Sequence, residues 1–145
     1  METIAIASDH AGYELKEYIK KNFNDKFNFK DFGTNSSESV DYPDFIHPLA
    51  HEIDKGNIKF GIIICGSGNG VSMTANKYPN VRAAICWNTE LAALARKHND
   101  ANVLALSARF ITKETAIEIV KSFFSTDFEG GRHLRRVEKI NKVII

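Results

Sequence analysis

Between Phe60 and Gly70 the chain reads FGIIICGSGNG, a short apolar run that stops at a cysteine and breaks into glycines. Gly61-Ile62-Ile63-Ile64 has no polar residue on either side of its pleat. A strand of that kind needs cover on both faces, which a parallel sheet between two helical layers supplies. Gly66, Gly68 and Gly70 alternate with Ser67 and Asn69, and a helix is expected over Val71–Lys77. Strand, loop and helix start together offer free backbone N–H groups to an anion. A thiol there can have its pKa lowered by the helix dipole and the nearby donors. Cys65 is thus a candidate reactive group, although a strand-end cysteine also serves as a small buried hydrophobe. The alternating glycines argue for more than a turn, because each costs backbone entropy and a plain turn needs only one or two.

The rest of the chain fits the same architecture. Strand signals at Thr3–Ser8, Phe27–Phe32, Phe60–Cys65, Val81–Cys86 and Val103–Ala108 alternate with helical ones. The helical segments are Gly12–Asn24, Asp44–Lys55, Val71–Lys77, Glu90–Lys97 and Thr112–Ser125, the last capped by Thr112. A final helix is expected over Arg132–Val143, after the break at Gly130-Gly131. This alternation predicts a three-layer α/β/α sandwich around a five-stranded parallel Rossmann-like sheet. With 145 residues and no repeat or long linker, one domain over residues 1–145 is expected. A net charge of +1 gives no nucleic-acid surface. No run approaches transmembrane length, and METIAIASDH lacks a signal-peptide pattern, so a cytoplasmic protein without membrane partners is expected. Cys65 and Cys86 permit a disulfide by count, but reduced thiols fit that compartment better. No Cys/His spacing suits zinc. The dinucleotide fingerprint, the P-loop and the CxxxxxR phosphatase loop all fail, the first and last at Val71. No cofactor is implied.

In parallel sheets, ligands sit beyond the carboxyl ends of the strands. That rule selects Asp9-His10-Ala11-Gly12, Cys65 with its glycine loop, Trp87-Asn88, and Ser107-Ala108-Arg109. Asp9 either caps the next helix or faces a ligand, and Arg109 is either a surface charge or an anion contact. His98 and Asn99 lie at the opposite end of their strand and reach such a cleft only through a second subunit. Arg132 and Arg136 are four apart and share a helix face. Arg132 opens that helix against its dipole, which makes sense if the pair holds a phosphate; a solvated basic face is the alternative. A thiol, an aspartate, two histidines, a donor-rich loop and several arginines suit a phosphorylated small molecule and acid–base chemistry at carbon.

These residues resemble ribose-5-phosphate isomerase, type B, within the wider ribose/galactose isomerase superfamily. The matching pieces are Ser8–Gly12, Asp41-Tyr42-Pro43, Ile64–Gly70 with Ala75-Asn76-Lys77, Arg96–Leu104, Ser107-Ala108-Arg109, and Glu129–His133 with Arg136. They run in the family's order over almost the whole chain. The resemblance implies metal-free aldose–ketose isomerisation of a phosphorylated sugar in the pentose phosphate pathway. It makes Cys65 the base and Gly66, Ser67, Gly68, Asn69 and Gly70 the anion hole. It gives ring opening to His98, hydroxyl protons to Asp9, substrate binding to Asn99, and the phosphate to His10, Arg109, Arg132 and Arg136. It also implies a homodimer or dimer of dimers with shared sites; the C-terminal helix is expected to serve dimerisation, the Gly130-Gly131 break letting it swing out of the domain. One branch of the family carries a glutamate base where this chain has Val71. Hexose-6-phosphate isomerisation is the rival activity, and a non-catalytic sugar-phosphate sensor the rival class.

Overall fold

The computed structural model describes residues 1–143. The elements run β1 (Glu2–Ser8), α1 (Tyr13–Phe23), β2 (Phe27–Asp31), α2 (Pro43–Asp54), β3 (Phe60–Cys65) and α3 (Asn69–Ala75). They continue as β4 (Ala83–Ile85), α4 (Thr89–Asn99), β5 (Val103–Ser107), α5 (Lys113–Phe124) and α6 (Arg132–Lys139). All strands are parallel, in the order β2-β1-β3-β5-β4. The expected α/β sandwich is therefore present.

The two faces of the sheet are of different size. Ile4, Ile6, Ile62, Ile64, Leu104 and Leu106 point toward α1, α4 and α5. Ala5, Ala7, Ile63, Cys65, Val103 and Ala105 point toward α2 and α3. The first layer is built of branched chains, each worth about 1.5–3 kcal/mol when buried. The second is thin, so α2 approaches closely: a Cβ on Gly61 would lie 2.7 Å from Ile53 Cδ1. Cys65 belongs to the thin layer.

From β1 the chain goes outward to β2, then returns past β1 to β3 on its other side. The loops after β1 and β3 thus diverge, opening a crevice at the carboxyl edge. Register sharpens this. Ser8 pairs with Ile64, and Cys65 with Ser107, so the loops after β1, β3 and β5 emerge side by side.

Several boundaries differ from those expected. Helix α3 begins at Asn69 rather than Val71, because Gly68 turns the chain at φ +83° and lets Asn69 enter the helix directly. The β4 strand covers only Ala83–Ile85, since the Val81 N–H is drawn to Tyr78 O in the preceding turn, although the Cys86 N–H still donates to Ala105 O. Helix α4 runs on to Asn99, closed by Asp100 at φ +47°, so His98 lies within its last turn. Helix α6 stops at Lys139 rather than Val143. It also does not swing away: the Glu129 N–H donates to Lys97 O, and α6 rests on α4. Thr112 caps α5 as expected, accepting from the Thr115 N–H.

A charged group lies buried under the edge strand. Lys16 Nζ, fully buried, is 2.6 Å from Asp31 Oδ2, and Lys20 Nζ is 2.8 Å from the same atom. Burial raises the Asp31 pKa, but hydrogen bonds from Lys16, Lys20 and the Gly33 amide outweigh it and hold the carboxyl below its usual value. A depressed carboxylate pKa stabilises the fold above the unfolded-state value near 3.9, and that contribution is lost as pH falls through the folded value. Asp31→Asn leaves the buried Lys16 with only the more exposed Glu17, whose Oε2 is 3.2 Å away, and a broken buried pair costs on the order of 3 kcal/mol. Urea melts should show that deficit at neutral pH and a shrinking one below about pH 4. A deficit constant with pH would count against the ion pair.

Candidate active site

The crevice at the carboxyl edge holds about 400 Å3 and is lined by Asp9, His10, Tyr42, Cys65, Gly66, Ser67, Gly70 and Arg109, with Ala11 and Phe110 at its margins. Cys65 forms part of it. The Gly68 N–H donates to Cys65 Sγ at 3.1 Å. Cys86, at the end of the edge strand, has no such loop. Burial pushes its thiol up to about 12. Both cysteines are free thiols.

The glycine loop divides its donors. Gly68 N–H serves the thiol, and Asn69 N–H donates to Ser67 Oγ at 3.1 Å. Among the described residues, no acceptor engages the Gly66, Ser67 and Gly70 amides, so these three remain for a ligand oxygen. Of the five residues expected to form the hole, Gly68 and Asn69 thus have their amides engaged within the loop itself. The Ser67 hydroxyl, having accepted from Asn69, keeps its own proton to donate.

The neighbouring loops are tied to this one. Ser107 Oγ donates to Ser67 O at 2.5 Å, the Ala108 N–H to Cys65 O at 2.9 Å, and the Arg109 N–H to Gly66 O at 3.0 Å. Arg109 folds over the loop, and a Cβ on Gly66 would come within 3.0 Å of its Nη1. Glycine at that position lets a guanidinium cover the cleft. On the other side, the Asp9 N–H donates to Ile64 O at 3.2 Å. Asp9 Oδ1 accepts the Gly12 N–H at 3.1 Å. Asp9 does not cap α1, whose N-cap is Gly12 without a side-chain cap bond; its Oδ1 instead fixes the turn before the helix, and the residue lines the cleft. Gly12 has no room for a side chain, since a Cβ would sit 2.8 Å from Ile64 O. The Val40 N–H donates to His10 Nδ1 at 3.2 Å. That contact puts the imidazole proton on Nε2, where it can bind a ligand oxygen.

Tyr42 and Phe110 are lining residues to which the sequence assigned no role, and Tyr42 is the one seated against the glycine loop. Tyr42 stands just before Pro43 at the start of α2, and its ring covers Gly70, where a Cβ would lie 2.5 Å from Cζ. The Asp41-Tyr42-Pro43 motif was its only signal. Trp87, 59% exposed after β4, is not part of the cleft.

His98, Asn99, Arg132 and Arg136 are absent from the cleft lining. His98, Arg132 and Arg136 gather around His133 where α4 ends and α6 begins, whereas Asn99 lines another pocket with Asn76, Arg82 and Ile140. The His98 and His133 rings stack with centroids 4.2 Å apart and an angle of 13°. Glu129 Oε1 lies 3.5 Å from His133 Nε2. Burial lowers the His133 pKa, His98, Arg132 and Arg136 lower it further, and Glu129 opposes them. Arg132 and Arg136 are exposed on α6, and neither has an ion-pair partner among the described residues. Glu129 and His133 are only four residues apart, but His98 joins them through packing alone, so spacing in the sequence gave no hint of the three-residue cluster.

Residues 4–140 match the family model for ribose/galactose isomerase. The chain is 49% identical over 140 residues to the probable ribose-5-phosphate isomerase B of Mycoplasma genitalium, an alignment covering 94% of this chain and 92% of that protein. Its fold is similar to the crystal structure of a ribose 5-phosphate isomerase from Thermotoga maritima, with a TM-score of 0.95 and 49% identity over 98% of this chain and 99% of that one. It is also similar to the crystal structure of ribose-5-phosphate isomerase B from Mycoplasma genitalium with bound ribulose-5-phosphate. There the TM-score is 0.92 at 47% identity, covering 97% of this chain and 94% of that one.

Proposed function

The chain belongs to the ribose/galactose isomerase family, and on that premise we propose that it interconverts ribose 5-phosphate and ribulose 5-phosphate through an enediolate, with its own side chains moving every proton. The observation that carries this is the Cys65 thiol in a switch-point cleft, accepting the Gly68 N–H beside Asp9, His10 and Arg109. The Cys65 thiolate removes the proton from C2 of the open-chain aldose and returns it to C1. The negative charge that develops on O1 faces the Ser67 and Gly70 amides and the Ser67 hydroxyl, donors already in place before the reaction. Asp9 moves the hydroxyl proton between O2 and O1. His10 and Arg109 bind the phosphate from within the chain.

His98, Asn99, Arg132 and Arg136 complete the site from a second copy, with α6 at the subunit interface. Their absence from the lining of the same chain's cleft supports that arrangement. We read residues 1–145 as one isomerase domain acting as a homodimer or a dimer of dimers. Free thiols support a cytoplasmic location. No helix among the described residues is long and apolar enough to cross a membrane.

The test is an assay of the purified protein, in chelator, with ribose 5-phosphate and with allose 6-phosphate. Preferential turnover of the pentose is expected; a preference for the hexose would move the activity within the family, and turnover of neither would refute it. The same assay examines His98 as the acid that opens the furanose ring. With His98→Asn, the rate from ribose 5-phosphate should stop rising with enzyme concentration, limited by uncatalysed ring opening. The rate from ribulose 5-phosphate should go on rising. Proportional rates in both directions would reduce His98 to a binding role.

A further inference from the structure

We propose that His98, Glu129 and His133 form a binding site for a divalent transition-metal cation such as zinc. Their ligand atoms all lie within 4.8 Å of one another. Two imidazoles and one carboxylate are the donors of an open zinc site, and they favour such a cation over magnesium or calcium. The fold holds the set together from two directions. The last turn of α4 presents His98. The Glu129 N–H bond to Lys97 O then brings the next segment alongside, and His133 follows near the start of α6.

A second observation points to a ligand. The His133 side chain is only 8% exposed, yet its Nε2 has no hydrogen-bond partner. A buried polar atom without a partner is uncommon. Glu129 Oε1, at 3.5 Å, is too far to satisfy it. A metal with bonds of about 2.0–2.1 Å draws its donors to roughly 3.3 Å apart. The stacked rings must therefore splay, and the exposed Glu129 side chain must close onto the ion. Arg132 and Arg136 oppose a cation here, so nitrogen donation rather than net charge provides the affinity.

Occupancy would have a functional consequence, and that part rests on the ring-opening reading of His98. A metal on the imidazole takes the nitrogen needed for proton transfer. The cation should act as an inhibitor of the aldose direction.

The experiment uses the untagged full chain, stripped with chelator, titrated with cobalt by visible absorption and with zinc by calorimetry. One ion per chain is expected, without the thiolate-to-cobalt band that Cys65 would give. Glu129→Gln and His133→Gln should each weaken binding tenfold or more, and Cys65→Ala should bind as the wild type does. His133 is buried and its replacement could disturb α6, so the exposed Glu129 carries the decision. No uptake, undiminished binding by Glu129→Gln, or loss confined to Cys65→Ala would overturn the site. In a second arm, zinc-saturated wild type should behave as His98→Asn does, with a rate from ribose 5-phosphate that stops scaling with enzyme. Binding at the site without that effect would uphold the metal site and refute the ring-opening role instead.

Discussion

Cys65→Ala should abolish nearly all turnover while leaving substrate affinity close to that of the wild type. In the proposed mechanism the thiol takes the proton from carbon, and it accepts the Gly68 N–H at 3.1 Å. The proposed phosphate contacts, by contrast, come from His10 and the arginines. The fold should survive the change, because Cys65 packs in the thin layer with Ala7 and Ala105, where a smaller side chain is at home. Cys65→Ser is the companion variant. It keeps the volume and the amide contact, but its hydroxyl ionises far less readily, so it should be nearly as inactive. If Cys65→Ala retains more than about a tenth of the wild-type rate, the thiol lowers the barrier by less than ~1.4 kcal/mol and is not the base. Cys86→Ala is the control: that thiol, pushed up to about 12 by burial, should be dispensable.

Arg136→Ala should raise the Michaelis constant for ribose 5-phosphate by about one to two orders of magnitude. A charge-assisted contact to phosphate contributes roughly 1.5–3 kcal/mol, and 1.4 kcal/mol is a factor of ten. Affinity for an unphosphorylated ribose analogue should hardly change. Arg136 is exposed on α6 and lies outside its own chain's cleft, so the effect requires a second subunit. Sedimentation at assay concentration should accordingly find a dimer or larger. A fully active monomer, or equal loss of both ligands in Arg136→Ala, would refute the shared site.

The cleft was legible in the sequence because its parts are local. Ile62-Ile63-Ile64 is apolar on both sides, and such a strand belongs inside a covered parallel sheet. Once that sheet was expected, the carboxyl-end rule selected Asp9, His10, Cys65 and Arg109, and the structure brings all four together. Tyr42 escaped because its place depends on the angle at which α2 meets the glycine loop. The start of α3 was misread by two residues because Gly68 adopts a left-handed conformation that periodicity does not register.

What the sequence determined by itself is the set of elements, their alternation and the faces they bury, since β-branched runs, helical spacing and glycine breaks act over a few residues. The tertiary structure decided what is shared between elements. It set the order β2-β1-β3-β5-β4, the division of the loop amides between thiol, serine and ligand, and the fold-back of α6 onto α4 that stacks His98 on His133. Those outcomes depend on ångström distances between segments far apart in the chain, and only the packing of two helical layers on one sheet sets such distances.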